Sequence, residues 1–188
     1  MMRELFADGK RPSKDKCFLQ VADIDMTRDY NKGFLPICAK SAYPFEGVYD
    51  GGGHSIYYCA VRTLDGKGSN PSTIVPATGL FGYAAGATFR DITMVDPVSI
   101  GAGSTGTLIG AVVGISGIDA TPTVLRNIRV RKQSSTASEV YGTNFVGGIV
   151  GGVDANAVLM MSGCENENLP VGNSKEGSFA GGLVGGGT

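Results

Sequence analysis

Ile92, Ile128 and Cys164 stand at intervals of 36 residues (92 to 128, 128 to 164), each closing a short block: Phe89-Arg90-Asp91-Ile92, Leu125-Arg126-Asn127-Ile128 and Met161-Ser162-Gly163-Cys164. A second series accompanies the first: Gly79-Leu80-Phe81-Gly82, Ala111-Val112-Val113-Gly114, Gly148-Ile149-Val150-Gly151 and Gly182-Leu183-Val184-Gly185. Its closing glycines, Gly82, Gly114, Gly151 and Gly185, are separated by 32, 37 and 34 residues. Self-similarity at such a period marks stacked units, in which residues one period apart occupy one equivalent position. The constant interval therefore predicts that Ile92, Ile128 and Cys164 point inward and lie over one another.

Within each unit the pattern is that of strands. Thr88 to Val95 and Val124 to Val130 alternate apolar and polar residues, with an irregular step between Phe89 and Ile92 that indicates a bulge or bend. Polar, turn-forming stretches at 65–72, 101–106, 132–138 and 165–178 read as surface loops of variable length, which would let the glycine spacing drift while the 36-residue spacing holds. A unit of about 35 residues in short strands cannot bury its own apolar face, but coils stacked about 4.8 Å apart pair backbone with backbone and pile like side chains into ladders. Glycine suits the corners because it accepts positive φ and lets neighbouring coils come close. The fold expected is all-β, a parallel β-helix or β-solenoid; a β-sandwich built from hairpins is the rival, and it gives no reason for the period.

Composition narrows the alternatives. Glycine supplies 30 of 188 residues, but without a three-residue period and with only 8 prolines, which excludes collagen. A hydrophobic content of 42% argues against disorder, and a net charge of -1 argues against a strongly basic nucleic-acid binder. No apolar run reaches the ~18 residues of a membrane-spanning helix, and the first ten residues hold no apolar stretch of signal-peptide length. Cys17, Cys38, Cys59 and Cys164 form no CxxC pair; the apolar or aromatic neighbours of Cys17 and Cys59 make free, buried thiols the expectation for the four, and the redox compartment stays open.

The Gly-apolar-apolar-Gly block followed by an apolar strand resembles the GLUG repeat. The N-terminal part extends the likeness: Phe18 to Met26, then Leu35-Pro36-Ile37, then Pro44 to Ile56 is similar to the segment that precedes such repeats. The chain departs from that pattern at Cys38, where glycine is usual, and in having no tryptophan, Phe34 being the nearest aromatic. GLUG repeats occur in bacterial surface adhesins of the filamentous haemagglutinin type and in noncatalytic regions of immunoglobulin A proteases. The resemblance, covering residues 17 to 188, implies a right-handed β-helical rod at the cell surface or outside the cell. It divides the chain into an N-terminal arm or cap (1–16), first coils with an inserted loop near 62–77 (17–78), and GLUG-like repeats at 79–110, 111–147 and 148–181, with a partial one at 182–188.

Chemical motifs are few. Asp23 and Asp25 lie two apart on a strand but supply too few oxygens for a calcium cage, so both are expected to be structural. Asp50-Gly51-Gly52-Gly53-His54 holds the one histidine and reads as a tight turn whose backbone groups Asp50 and His54 satisfy. One histidine rules out His-Glu-x-x-His, Gly-x-Ser-x-Gly is absent, and Gly101 to Gly106 matches a dinucleotide loop without the helix or acidic residue it requires. No catalytic residue, metal site or cofactor is expected. Arg126, Arg129, Arg131 and Lys132 form the one basic cluster, with Arg129 and Arg131 on a common outward face that can contact an anionic polymer or guard a sheet edge. Tyr43, Tyr49, Tyr57, Tyr58, Tyr83 and Tyr141 are expected mainly in core and ladder packing.

The function expected is that of a noncatalytic adhesin rod binding glycan or a host surface protein through its outer faces and loops, without nucleic acid and without membrane insertion. A β-helical carbohydrate lyase or hydrolase and a phage or viral fibre segment are the alternatives. Because Gly181 to Thr188 opens a further repeat and shows no polar cap, the C-terminal face is expected to be covered by a partner, by another copy or by a continuation of the parent chain.

Overall fold

A computed structural model describes residues 13–27, 34–62, 77–100, 107–117, 120–134, 138–173 and 178–187. Most of the N-terminal arm, most of the inserted loop near 62–77 and the Gly101–Gly106 motif lie outside the described residues. Among the described residues there are twenty strands and no helix, and the strands wind as a four-sided parallel β-solenoid.

The long face carries five layers: β1 (Cys17–Leu19) with β2 (Ile24–Asp25), β3 (Val48–Asp50) with β4 (Ser55–Tyr57), β8 (Thr88–Val95), β12 (Thr123–Arg131), and β16 (Leu159–Ser162) with β17 (Glu165–Glu167). The second face stacks β5 (Ala60–Arg62), β9 (Val98–Ile100), β13 (Glu139–Gly142) and β18 (Val171–Asn173). The third stacks β6 (Ala77–Thr78), β10 (Thr107–Ile109), β14 (Asn144–Gly147) and β19 (Phe179–Gly181). The fourth stacks β7 (Phe81–Ala84), β11 (Val113–Ser116), β15 (Val150–Val153) and β20 (Val184–Gly187), and isolated parallel bridges from Phe34, Ile37 and Phe45 extend the first coil onto the second and fourth faces. The hairpin sandwich is thereby excluded, since the ladders between these strands are parallel.

The register realises the predicted ladder. Ile128 pairs with Ile92, and both are fully buried; Cys164 follows at the same offset beside the Arg129–Glu165 pairing, half-buried against the same core. A second inward column runs Phe18, Tyr49, Phe89, Leu125, Met161, and a third Ile24, Ile56, Met94, Val130, Asn166. Phe45, Phe81 and Phe89 pack with ring centroids 4.8 to 5.5 Å apart, so the early coils have an aromatic core and the later ones an aliphatic core. Each fully buried Leu, Ile or Phe contributes about 1.5–3 kcal/mol through area removed from water.

The irregular step in the long strands is a left-handed residue. Asp91, Asn127 and Gly163 have φ of 55°, 53° and 62°, one residue before Ile92, Ile128 and Cys164. Asp and Asn tolerate this conformation better than other non-glycine residues, and the extra residue shifts the alternation by one. That shift lets Leu125, Ile128 and Val130 all face inward while Arg126 and Arg129, three apart, both face solvent.

Several expectations need correction. The closing glycines do not use positive φ: Gly82, Gly114, Gly151 and Gly185 are required by close approach alone. A Cβ on Gly114, Gly151 or Gly185 would lie 2.5, 2.3 or 2.5 Å from the backbone nitrogen of Thr78, Ile109 or Val146, in the third-face strand of the preceding coil, and a Cβ on Gly82 would lie 2.9 Å from the Cys38 carbonyl oxygen. Cys38 itself has φ of 53°, a left-handed conformation that glycine adopts more readily than a residue with a side chain. Cys17 is exposed, not buried, because it sits on the first coil, whereas Cys38 and Cys59 are buried. The stretch 165–178, expected as a loop, contains β17 and β18, whose polar residues occupy strand positions on the last coil.

The 36-residue period also conceals a compensation. From β8 to β12 and from β12 to β16 the step is 36, but Ser99 to Val140 is 41 residues and Val140 to Val171 is 31. A longer corner after β12 is offset by shorter ones elsewhere in the two coils, so loop length varies while the circumference of the long-face register does not.

Candidate ligand-contact surface

The outer side of the long face is a grid of side chains set by register. One column runs Leu19, Asp50, Arg90, Arg126, Ser162; the next runs Ser55, Thr93, Arg129, Glu165; a third, at the corner, runs Asp25, Tyr57, Val95, Arg131, Glu167, with Val95 buried. Charges from different coils meet along these columns although their sequence separation is 36 to 40 residues.

Two of the arginines are neutralised in place. Arg90 directs Nη2 and Nε to Asp50 Oδ2 at 2.7 and 2.8 Å, and Arg129 directs Nη2 and Nε to Glu165 Oε2 at 2.9 and 3.0 Å. Arg126 stands exposed between Arg90 and Ser162 and has no carboxylate partner among the described residues. Arg131 is half-buried at the end of β12, and its Nε is shielded from water without a hydrogen-bond acceptor. Lys132 is half-buried, its N–H donating to the Glu167 carbonyl at 3.0 Å. The four residues read as one basic cluster thus separate into a paired Arg129, an exposed Arg126, and a partly enclosed Arg131 and Lys132 at the corner.

That corner is organised by Asp96, which the sequence reading did not single out. Asp96 has φ of 50° and is 1% exposed. Its carboxylate accepts the Gln133 N–H at 2.8 Å, the Ser134 N–H at 3.2 Å and the Ser138 hydroxyl at 3.2 Å, all in the next coil. Burial alone would raise its pKa, but these bonds together hold it below the usual carboxylate range. The signal available was Val95-Asp96-Pro97, an Asp at a strand end followed by proline.

The carboxylates singled out earlier serve turns. Asp25 accepts the hydroxyl and the N–H of Thr27, which lower its pKa, and Asp23 Oδ1 accepts the Ser55 N–H at 2.8 Å. Asp50 Oδ1 accepts the Gly52 N–H at 2.8 Å, and Gly52 and Gly53 have φ of 60° and 76° in the turn. His54 closes the turn by donating its N–H to the Gly51 carbonyl at 2.9 Å, and its Nδ1 lies 3.4 Å from Asp23 Oδ1. Asp50 and His54 therefore serve one turn, and Asp50 is also engaged by Arg90. Among the described residues no group of three or more His, Cys, Asp or Glu side chains gathers as a metal site.

Burial pushes the thiols of Cys38 and Cys59 up to about 12, Glu46 adding to the effect at Cys38, and raises Cys164 despite its sulfur contacts to backbone carbonyls. Tyr49 is likewise raised to about 12 by burial, its hydroxyl donating to Gln20 Oε1 at 3.1 Å. Tyr43 and Tyr141 are exposed, while Tyr57 and Tyr58 are half-buried and Tyr83 is buried.

The class defined by these observations is a repeat β-solenoid with an ordered charge grid on its broadest side. No family model, no curated protein and no solved structure matches the chain.

Proposed function

We propose that this chain is a noncatalytic rod segment of a bacterial surface or secreted adhesin, binding a glycan or a host protein through the outer side of its long face and the adjoining loops. The observation that carries the reading is the five-layer long face: strands held in register over a packed core present Arg126 and the Arg129–Glu165 pair as fixed points. Such a surface binds by several weak contacts spread along the rod, in contrast to a pocket that encloses one ligand. The likeness to GLUG repeats supports the cell-surface setting and rests on the residues quoted for it.

An array of acidic and neutral glycans and host surface proteins, probed with the parent and with Arg126→Glu, tests the reading. Binding to at least one ligand class that falls tenfold or more in Arg126→Glu, with unchanged thermal stability, is the expected result. Turnover of a polysaccharide that disappears in a folded His54→Ala variant would replace this reading with the carbohydrate-active enzyme.

A further inference from the structure

Arg126 stands in the middle of the long face, because its strand β12 is paired with β8 on one side and with β16 and β17 on the other. Two residues before it on the same outer side is Val124, half-buried, in register with Thr88 and Val48 of the coils beneath. Three residues after it is Arg129, brought to that side by the left-handed Asn127, with Thr93 and Ser55 beneath it in register. The surface around Arg126 is therefore an apolar column on one flank and a hydroxyl-bearing, charged column on the other.

The charges of this surface are held in place. Arg90 is engaged by Asp50 and Arg129 by Glu165. Asp91 Oδ1 accepts the Asn127 amide at 2.9 Å, and a Cβ on Gly163 would fall 2.6 Å from the other end of that amide, Asn127 Oδ1. Arg126, exposed among these fixed groups, is the one of the three guanidiniums that no carboxylate engages among the described residues.

The arrangement selects by charge. A guanidinium offers N–H donors in a planar fork and no acceptor, so it takes an oxyanion. The carboxylates around it offer only acceptors, so they take hydroxyl donors and repel further anions. A dense polyanion such as a nucleic-acid backbone would set phosphates against Asp50, Asp91 and Glu165 for the one that meets Arg126. A cationic partner would meet Arg126 itself. An acidic peptide supplies the oxyanion without the surrounding hydroxyl donors. One oxyanion, hydroxyl groups about it and a C–H face to rest on Val124 belong together in an acidic sugar within an otherwise neutral glycan.

We propose that the ligand of the long face is a glycan carrying isolated carboxylates, one of which docks on the Arg126 fork while hydroxyls of the same and adjoining sugars meet the flanking carboxylates. This rests on the reading of the long face as a binding surface and adds the class of ligand. The ion pairs at Arg90 and Arg129 act as screens: they fix their side chains and leave a single free positive charge, which one carboxylate satisfies.

The probes are sialyllactose and a short hyaluronan fragment, in which a carboxylate stands among neutral sugars, the methyl esters of both, a heparin fragment of dense charge, and a polyglutamate peptide, each titrated into the full chain by calorimetry. Saturable binding of at least one of the two carboxylated glycans is expected, weakened about tenfold or more by esterification and by Arg126→Gln, as loss of a charge-assisted bond implies. Arg126→Lys, which keeps the charge but not the fork, should fall between parent and Arg126→Gln. The ester comparison reads the charge rule on the unmodified protein, so the test does not depend on a variant folding. No saturable binding of either acid, equal binding of acid and ester, or tighter binding of heparin or polyglutamate overturns the proposal. Neutral glycans or a host protein binding through the long face would then leave the rod reading standing without it, whereas an array with no ligand at all strikes that reading itself.

Discussion

In β12 the inward residues Leu125, Ile128 and Val130 are fully buried, whereas their column mates on the last coil, Met161, Cys164 and Asn166, are half-buried. The backbone path is common to both coils, down to the left-handed residue at Asn127 and at Gly163. What differs is that, among the described residues, β12 has strands on both sides whereas β16 and β17 have one on one side only. A side chain in a solenoid is sealed by the coils above and below it as much as by its own, so an identical position is core in the middle and rim at the end. The chemistry differs accordingly: on the last described coil a cysteine stands in the isoleucine column, and in the methionine–valine column an asparagine that bonds the carbonyls of Leu169 and Gly182.

The largest test of this contrast is charge burial. Ile128→Asp is expected to cost about 3–5 kcal/mol, as an uncompensated buried charge does. Cys164→Asp, one coil further on, is expected to cost less than half as much because water reaches the site. Chemical denaturation of the two variants measures the difference, and equal losses would show that the last coil is sealed.

An intermediate effect belongs to Asp96, whose carboxylate reaches up into the next coil. Asp96→Ala should cost about 1–2 kcal/mol at neutral pH through the lost bonds to Gln133, Ser134 and Ser138. Because the folded-state pKa is depressed, this stabilisation is present above the ordinary carboxylate range of about 4 and is lost as pH falls through the folded value. The stability gap between parent and variant should therefore narrow on acidification below about pH 4. A gap that stays constant to pH 2 would assign Asp96 a purely steric role. Asn168, the corner residue two coils on with φ of 59°, has no described coil above it to hold.

The smallest effect concerns the ion pair that joins the two coils. Arg129 and Glu165 are each about half exposed (51% and 49%), so Arg129→Ala should cost no more than about 1 kcal/mol and the difference should vanish in high salt. Thermal melts at low and high ionic strength measure it. A loss of several kcal/mol would mean that the last coil is held on by charge, not by its backbone ladder.

Much of the fold was legible because a solenoid writes its geometry as repetition. Ile92 and Ile128 announced the long-face register, and the apolar pairs before the closing glycines marked the fourth face. Less legible were places where one residue type serves two conformations. Asp91 and Asn127 look like ordinary polar strand residues, and only their dihedral angles show why Arg126 and Arg129 share a side. Glu165 to Glu167 lacks the apolar alternation of the strands beneath it, Asn166 standing in the column of Val130 and Met94, so it read as loop. The candidate surface was legible as a list of basic residues but not as a grid, since Glu165 and Asp50 reach Arg129 and Arg90 only through stacking.

By itself, the sequence determined the strand period, the columns that must be apolar and the positions where a side chain cannot be placed, because these depend on local alternation and on spacing along the chain. Tertiary structure decided which charges cancel, which thiols are shielded and which strands lack a neighbour. Those properties arise between residues 30 to 40 positions apart, brought within a few ångströms by the stacking of one coil on the next.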